Sequence, residues 1–71
     1  MLLPGTRVRL IPAAARHHRT DPRTVWTVID SRPASYRPDR ILVLVEHRLR
    51  FEAVRTEHLL EVISEPTEKT R

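Results

Sequence analysis

Arginine is the residue type in this sequence with the most potential for chemistry. Twelve of the thirteen basic residues are Arg, and the formal net charge at pH 7 is +4. A guanidinium group presents its N–H donors in a planar fork that suits bidentate binding of phosphate or carboxylate. A GC-rich genome also encodes Arg in place of Lys, so the composition has two competing explanations.

The positive charge is concentrated in the first part of the chain. Residues 1–45 have a net charge of +5, whereas residues 46–71 have a net charge of −1. Two segments without an apolar pattern, residues 12–23 and 31–39, hold five of the arginines, and the second also holds an aromatic residue on which a base can stack. The candidate nucleic-acid-binding residues are Arg7, Arg9, Arg16, Arg19, Arg23, Arg32, Tyr36 and Arg37.

These residues also fit a solvated surface without a ligand. Each of the two segments carries an aspartate, Asp21 or Asp39, that offsets part of its charge. The simplest role for Trp26 is in the core or at its edge, and Tyr36 is suited to covering an open end of the fold.

The sequence contains no arrangement typical of catalysis. It has no Gly-rich phosphate loop, no GxSxG or HExxH motif and no cysteine. His17 and His18 are adjacent and lack further ligands at useful spacing, so we predict no metal site and no cofactor. We therefore predict that the protein is not an enzyme.

The apolar segments are short. The longest unbroken run, residues 41–45, is far too short to cross a bilayer, and the N-terminus does not have a signal-peptide pattern. Because the chain also lacks cysteine, we expect a cytoplasmic protein without a membrane partner.

Alternating polar and apolar residues predict an all-β fold of five strands, at residues 6–10, 24–30, 40–46, 49–54 and 60–63. The apolar run at 41–45 predicts a strand covered on both faces. A short connection after it predicts a hairpin, with Leu49, Phe51 and Ala53 on one face of the following strand. The predicted core consists of Val8, Leu10, Trp26, Val28, Val43, Phe51 and Leu59.

The remaining segments lack strand patterns. The three alanines at residues 13–15 can form a short helical turn, but Pro12 and Pro22 bracket this basic stretch, which we interpret as a long mobile loop. Residues 56–59 predict one helical turn, with Thr56 as its cap. One domain is expected over residues 1–63, followed by a disordered tail over residues 64–71.

Three short segments carry a resemblance to a known family. They are residues 4–10, which open with Pro4-Gly5, residues 26–28, Trp-Thr-Val, and residues 54–62, which run from Val54 through a helical turn to Val62. With these motifs, the order of the elements resembles a partly open, Src-homology-3-like small barrel of the KOW and Tudor kind, over roughly residues 4–63. The resemblance implies a binding module in which the two arginine-bearing loops lie near each other at one rim. The chain departs from the pattern because Gly5 is its only glycine and because it lacks the clustered aromatics of a methyl-lysine cage.

Two function hypotheses follow. The first is a nucleic-acid-binding module, for DNA or RNA, that contacts phosphates through its basic loops. The second is a protein-interaction or adaptor module, including a self-associating accessory regulator, that uses exposed strand edges or an apolar strip around Ile29 and Leu42.

Overall fold

The strand-forming segments join into one antiparallel sheet. The computed structural model describes residues 2–66. The outermost strands of the sheet do not pair with each other, so the prediction of an all-β, partly open fold of five strands is confirmed. The strands are β1 (Arg7–Leu10), β2 (Trp26–Pro33), β3 (Ile41–His47), β4 (Arg50–Val54) and β5 (Leu60–Ser64). Their order across the sheet is β4-β3-β2-β1-β5.

The core is a single aliphatic cluster around Trp26. On β1, Val8 and Leu10 are buried while Arg7 and Arg9 are exposed, as the alternation predicts. Of the seven predicted core residues, five are buried, Leu59 is partly buried and Phe51 is exposed. The buried apolar residues of the cluster are Val8, Leu10, Ala14, Ala15, Trp26, Val28, Val43, Val45, Val54 and Leu60.

The side chains of β4 face opposite to the prediction. Val54, directly across from Val43, is fully buried, while Phe51 is 54% exposed and Ala53 is also exposed. Because directly opposed residues share a face of the sheet, the buried valines of β3 fix which residues of β4 point inward. The prediction was wrong because it assigned the larger apolar residues of β4 to the core and overlooked this pairing.

The first connection is not the predicted loop throughout, because it begins with a short helix, α1 (Pro12–His17). Pro12 occupies the first turn, where its missing N–H costs nothing, and three alanines follow with high helix propensity. Ala14 and Ala15 are buried against the core, which stabilises a helix too short to persist alone.

β2 and β3 also differ from the prediction. β2 continues to Pro33, three residues beyond the expected end, with an irregularity between Val28 and Asp30. On β3, Val43 and Val45 are buried but Leu44 is 36% exposed. The expectation of a strand covered on both faces is therefore wrong, and the outer face of β3 is open.

The C-terminal elements follow the prediction closely. A 3₁₀ turn covers Glu57–Leu59, and the side chain of Thr56 caps it by accepting a hydrogen bond from the backbone N–H of His58. β5 extends to Ser64, which pairs with Arg7, so this strand ends one residue beyond the predicted end at residue 63. The part of the predicted tail at residues 67–71 lies outside the described residues. Within residues 2–66, no helix is long and apolar enough to span a membrane.

Candidate nucleic-acid interface

The connection after α1 begins with a helix cap formed around an arginine. The backbone N–H of Arg19 donates to Arg16 and that of Thr20 donates to Ala15, while Arg19 itself has a φ of 57°. This hydrogen-bond pattern is the Schellman motif, in which the left-handed position is usually glycine. The cap ends α1 and leaves Arg16 and Arg19 exposed on either side of the helix end.

The β3–β4 hairpin lies against the end of α1. The Arg50 guanidinium donates to the backbone carbonyl of His18, and the His18 ring donates to the Glu52 carboxylate over 2.7 Å. The Arg50 guanidinium also lies 5.7 Å from the centre of the Trp26 ring, within the range of a cation–π interaction. These contacts fix the hairpin relative to the first connection.

Glu52 is the acidic centre of this contact. Its side chain is 22% exposed, and it accepts hydrogen bonds from both His18 and Arg50. Burial acts to raise the pKa of Glu52, but the hydrogen bonds from His18 and Arg50 outweigh it, so the pKa lies below the ordinary value. The ionised carboxylate is therefore the form that ties α1 to β4.

A second histidine ties the hairpin to β2. The His47 ring donates from Nδ1 to the Val25 carbonyl over 3.1 Å and lies 5.8 Å from the Trp26 ring. Both residues that flank the turn, His47 and Arg50, are therefore held by the first connection and the start of β2.

The structure thus brings the first arginine group together with the hairpin. We call this region the basic end; it carries five arginines and the carboxylates of Asp21, Glu46 and Glu52, of which Asp21 pairs with Arg23 and Glu52 with Arg50. The hairpin arginines were not among the predicted site residues, although alternate connections of an antiparallel meander lie at the same end of the sheet and could have indicated them. The basic end comprises Arg16, Arg19, Arg23, Arg48 and Arg50.

The arginines of the second connection are not part of this surface. The first connection joins β2 at Trp26 and the second leaves it at Pro33, the opposite end of the strand. No hydrogen bond or ion pair within residues 2–66 links the arginines of one connection to the other. The expected shared rim of both arginine groups is therefore not formed.

Three of the predicted arginines pair with aspartates close to them in sequence. Arg32 binds Asp30 and Arg37 binds Asp39, both on exposed surface. At the basic end, the backbone N–H of Arg23 binds Asp21, which its guanidinium also approaches, and these contacts lower the pKa of Asp21. Such exposed pairs add little stability.

The other predicted site residues lie on separate surfaces. Arg7 and Arg9 point outward from β1, and in the strand register Arg9 lies directly across from Glu61 of β5. The Tyr36 hydroxyl donates to the Arg55 carbonyl over 3.2 Å, and the side chain is 55% exposed. Tyr36 is therefore attached to the end of β4 rather than to the basic end.

A small cavity lies between α1, β4 and the 3₁₀ turn. Its volume of about 250 Å³ is below the roughly 300–1,000 Å³ typical of ligand pockets. Within residues 2–66, no group of three His, Cys, Asp or Glu side chains is placed to hold a metal ion. The cavity is lined by Ala13, Ala14, His17, His18, Ala53, Arg55 and Leu59.

An apolar surface covers the outer face of β3 and β4. Leu44 lies directly across from Ala53, and Phe51 is the next outward residue along β4. Within residues 2–66, no strand pairs with the outer side of β4, which leaves one edge of its backbone open. The patch is not part of the buried core, and Phe51 follows Arg50 of the basic end directly along β4.

Comparison with known proteins adds no family assignment. The chain matches no family model, no curated protein and no solved structure.

Proposed function

We propose that this protein is a small, non-catalytic module that binds nucleic acid through the basic end. The observation that carries the proposal is the attachment of the β3–β4 hairpin to the end of α1 through Arg50, His18 and Glu52. This attachment places arginines from two distant parts of the chain on one surface. Five arginines against three carboxylates leave a local positive charge suited to a phosphate backbone.

The proposed mode of binding is phosphate contact rather than base reading. Arg16, Arg19 and Arg48 are exposed and have no carboxylate partner within residues 2–66, so their guanidinium groups are available to phosphate oxygens. Arg32 and Arg37, in contrast, are already paired with aspartates. Arg32, Tyr36 and Arg37 also lie away from the basic end, so their proposed contribution to binding is minor.

The test is a salt titration of binding to labelled DNA and RNA, single- and double-stranded. The double variant R19G/R48G removes two charges, and glycine accepts the positive φ of both positions, so the backbone is preserved. Each lost phosphate contact is expected to reduce the slope of log K against log salt by about 0.9 on duplex DNA. Undetectable binding of the unmodified protein at low salt would refute the proposal.

A matched control removes the same charge from the opposite end of β2. The variant R32A/R37A is expected to retain most of the affinity and nearly all of the salt slope. If both double variants weaken binding equally, the positive charge acts as a whole and the basic end is not the site.

A second candidate function, protein interaction, is favoured by the apolar patch on β3 and β4. Phe51 and Leu44 are exposed beside an unpaired strand edge, the feature through which sheets add a strand from a second chain. Sedimentation over a wide concentration range tests self-association, with the variant F51S expected to abolish it. A concentration-independent monomer that captures no protein partner would exclude this candidate.

The compartment expected for either function is the cytoplasm, since a chain without cysteine fits a reducing environment.

A further inference from the structure

The turn of the β3–β4 hairpin has an unusual residue composition. His47 pairs with Arg50, so the turn consists of only two residues, Arg48 and Leu49, with φ values of 49° and 67°. Positive φ at both positions is the type I′ geometry, which strongly prefers Asn-Gly or Gly-Gly. Every side chain with a Cβ crowds the backbone in this region, and leucine lacks the short polar group with which Asn and Asp offset that crowding.

The strain of the positive φ at Leu49 is not offset by burial of its side chain. Its exposure of 82% is larger than that of any other exposed large hydrophobic residue among residues 2–66. It lies at the hairpin tip, beyond the His47–Arg50 pair, and is not part of the buried core. A residue that is both strained and solvated is expected where function, rather than stability, selects the side chain.

The surroundings of Leu49 make it a rigid apolar point on a basic surface. Arg48 and Arg50 flank it directly, and Arg50 is held by the His18 carbonyl and the Glu52 carboxylate. His47, on the other strand, is held by the Val25 carbonyl. Both strands next to the turn are thus held in place, so the turn can keep its position when it contacts a ligand.

We infer that Leu49 is a wedge that inserts between adjacent base pairs of a duplex while the arginines of the basic end contact the flanking phosphates. The inference rests on the proposed nucleic-acid function and specifies its ligand as double-stranded. Proteins that bend duplexes use single aliphatic side chains in this way, next to Arg and Lys that bind the backbone. Insertion partly unstacks the base step and kinks the helix, which lets more basic residues reach the phosphates.

The experiment compares duplex binding and base unstacking for the unmodified protein and the variant L49G. The probe is a short A·T-rich duplex with 2-aminopurine at its central steps, whose fluorescence rises when stacking is lost. Glycine relieves the positive φ, so L49G is expected to melt no lower than the unmodified protein. The second variant, L49N, keeps a residue that tolerates this φ and guards against effects of added flexibility.

The expected result is a rise in fluorescence with the unmodified protein that both variants lose. Affinity is expected to fall roughly tenfold to a hundredfold, the loss for removing one leucine from a buried site, while the salt slope stays unchanged. L3A, which shortens another exposed leucine outside the basic end, is expected to behave as the unmodified protein does.

The failures of the two proposals are distinguishable. If the unmodified protein binds duplex but L49G and L49N bind and unstack it equally well, the wedge is refuted and the nucleic-acid function stands. If the protein binds no nucleic acid at low salt, both proposals fail together. Leucine-dependent binding to anionic vesicles in the absence of duplex binding would also overturn the wedge, because the apolar tip would then serve a lipid surface.

Discussion

Replacing Glu52 with glutamine is expected to loosen the contact between α1 and the hairpin and to remove a pH dependence of stability. The carboxylate accepts hydrogen bonds from His18 and Arg50, and its side chain is only 22% exposed. Hydrogen bonds to a charged group contribute about 1.5–3 kcal/mol in favourable sites. Because glutamine retains one acceptor oxygen and the site is partly solvated, we expect E52Q to cost about 1–2 kcal/mol near pH 7.

The pH dependence has a definite sign. The pKa of Glu52 in the folded protein is lowered relative to its ordinary value of 4.5, since the hydrogen bonds from His18 and Arg50 outweigh the effect of burial. The stabilisation is therefore complete above pH 4.5 and is lost as the pH falls from there through the lower pKa of the folded state. In E52Q this contribution is absent at every pH.

Thermal unfolding followed by circular dichroism from neutral to acidic pH measures both effects. For a domain of this size, 1 kcal/mol corresponds to a change in Tm of about 4–8 °C. The Tm difference between the two proteins is expected to be largest at neutral pH and to shrink below pH 4.5. A Tm difference that stays constant down to strongly acidic pH would refute the assignment of the stabilisation to the ionised carboxylate. The matched variant D39N removes an exposed carboxylate and is expected to leave the neutral Tm nearly unchanged.

Three further predictions test the packing. Shortening the fully buried Val54 to Ala is expected to lower the free energy of unfolding by about 2 kcal/mol, whereas F51S should change it by less than about 0.5 kcal/mol. If urea unfolding shows the larger loss for F51S, Phe51 faces the core. Enlarging the fully buried Ala15 to Leu is expected to cost about 1–3 kcal/mol by overpacking, and a neutral result would mean that α1 does not pack on the core. L49G is expected to raise the free energy of unfolding by up to about 1 kcal/mol because it removes a side chain from a positive φ, and a clear loss would contradict the type I′ geometry.

The sequence was most informative where the signal was local. The alternation of β1 predicted which of its residues are buried, and Thr56 was recognisable as the cap of a helical turn. Both signals are contained in a few neighbouring residues of the sequence. The strand count follows similarly, because five separated apolar segments leave few other arrangements for a chain of this length.

The errors arose where distant pairing decides the outcome. Phe51 was placed in the core because it is the largest apolar residue of its strand, yet the pairing of Val43 with Val54 turns it outward. α1 was missed because a six-residue helix depends on burying Ala14 and Ala15, and so short a segment shows no helical periodicity. The basic end depends on a contact between Arg50 and His18, which are 32 residues apart.

Most residues with a positive φ lie at the surface that we propose to bind nucleic acid. Gly5, the one glycine, has a φ of 95° and lies against Pro66, away from the basic end. The other three residues with positive φ among residues 2–66 are Arg19, Arg48 and Leu49, and all belong to the basic end or its hairpin tip. Glycine or asparagine would relieve each position at little structural cost, so folding alone does not account for these side chains. Two arginines and an exposed leucine are thus kept in strained positions on one surface. Selection for binding a ligand through charged groups and one apolar side chain would produce this arrangement.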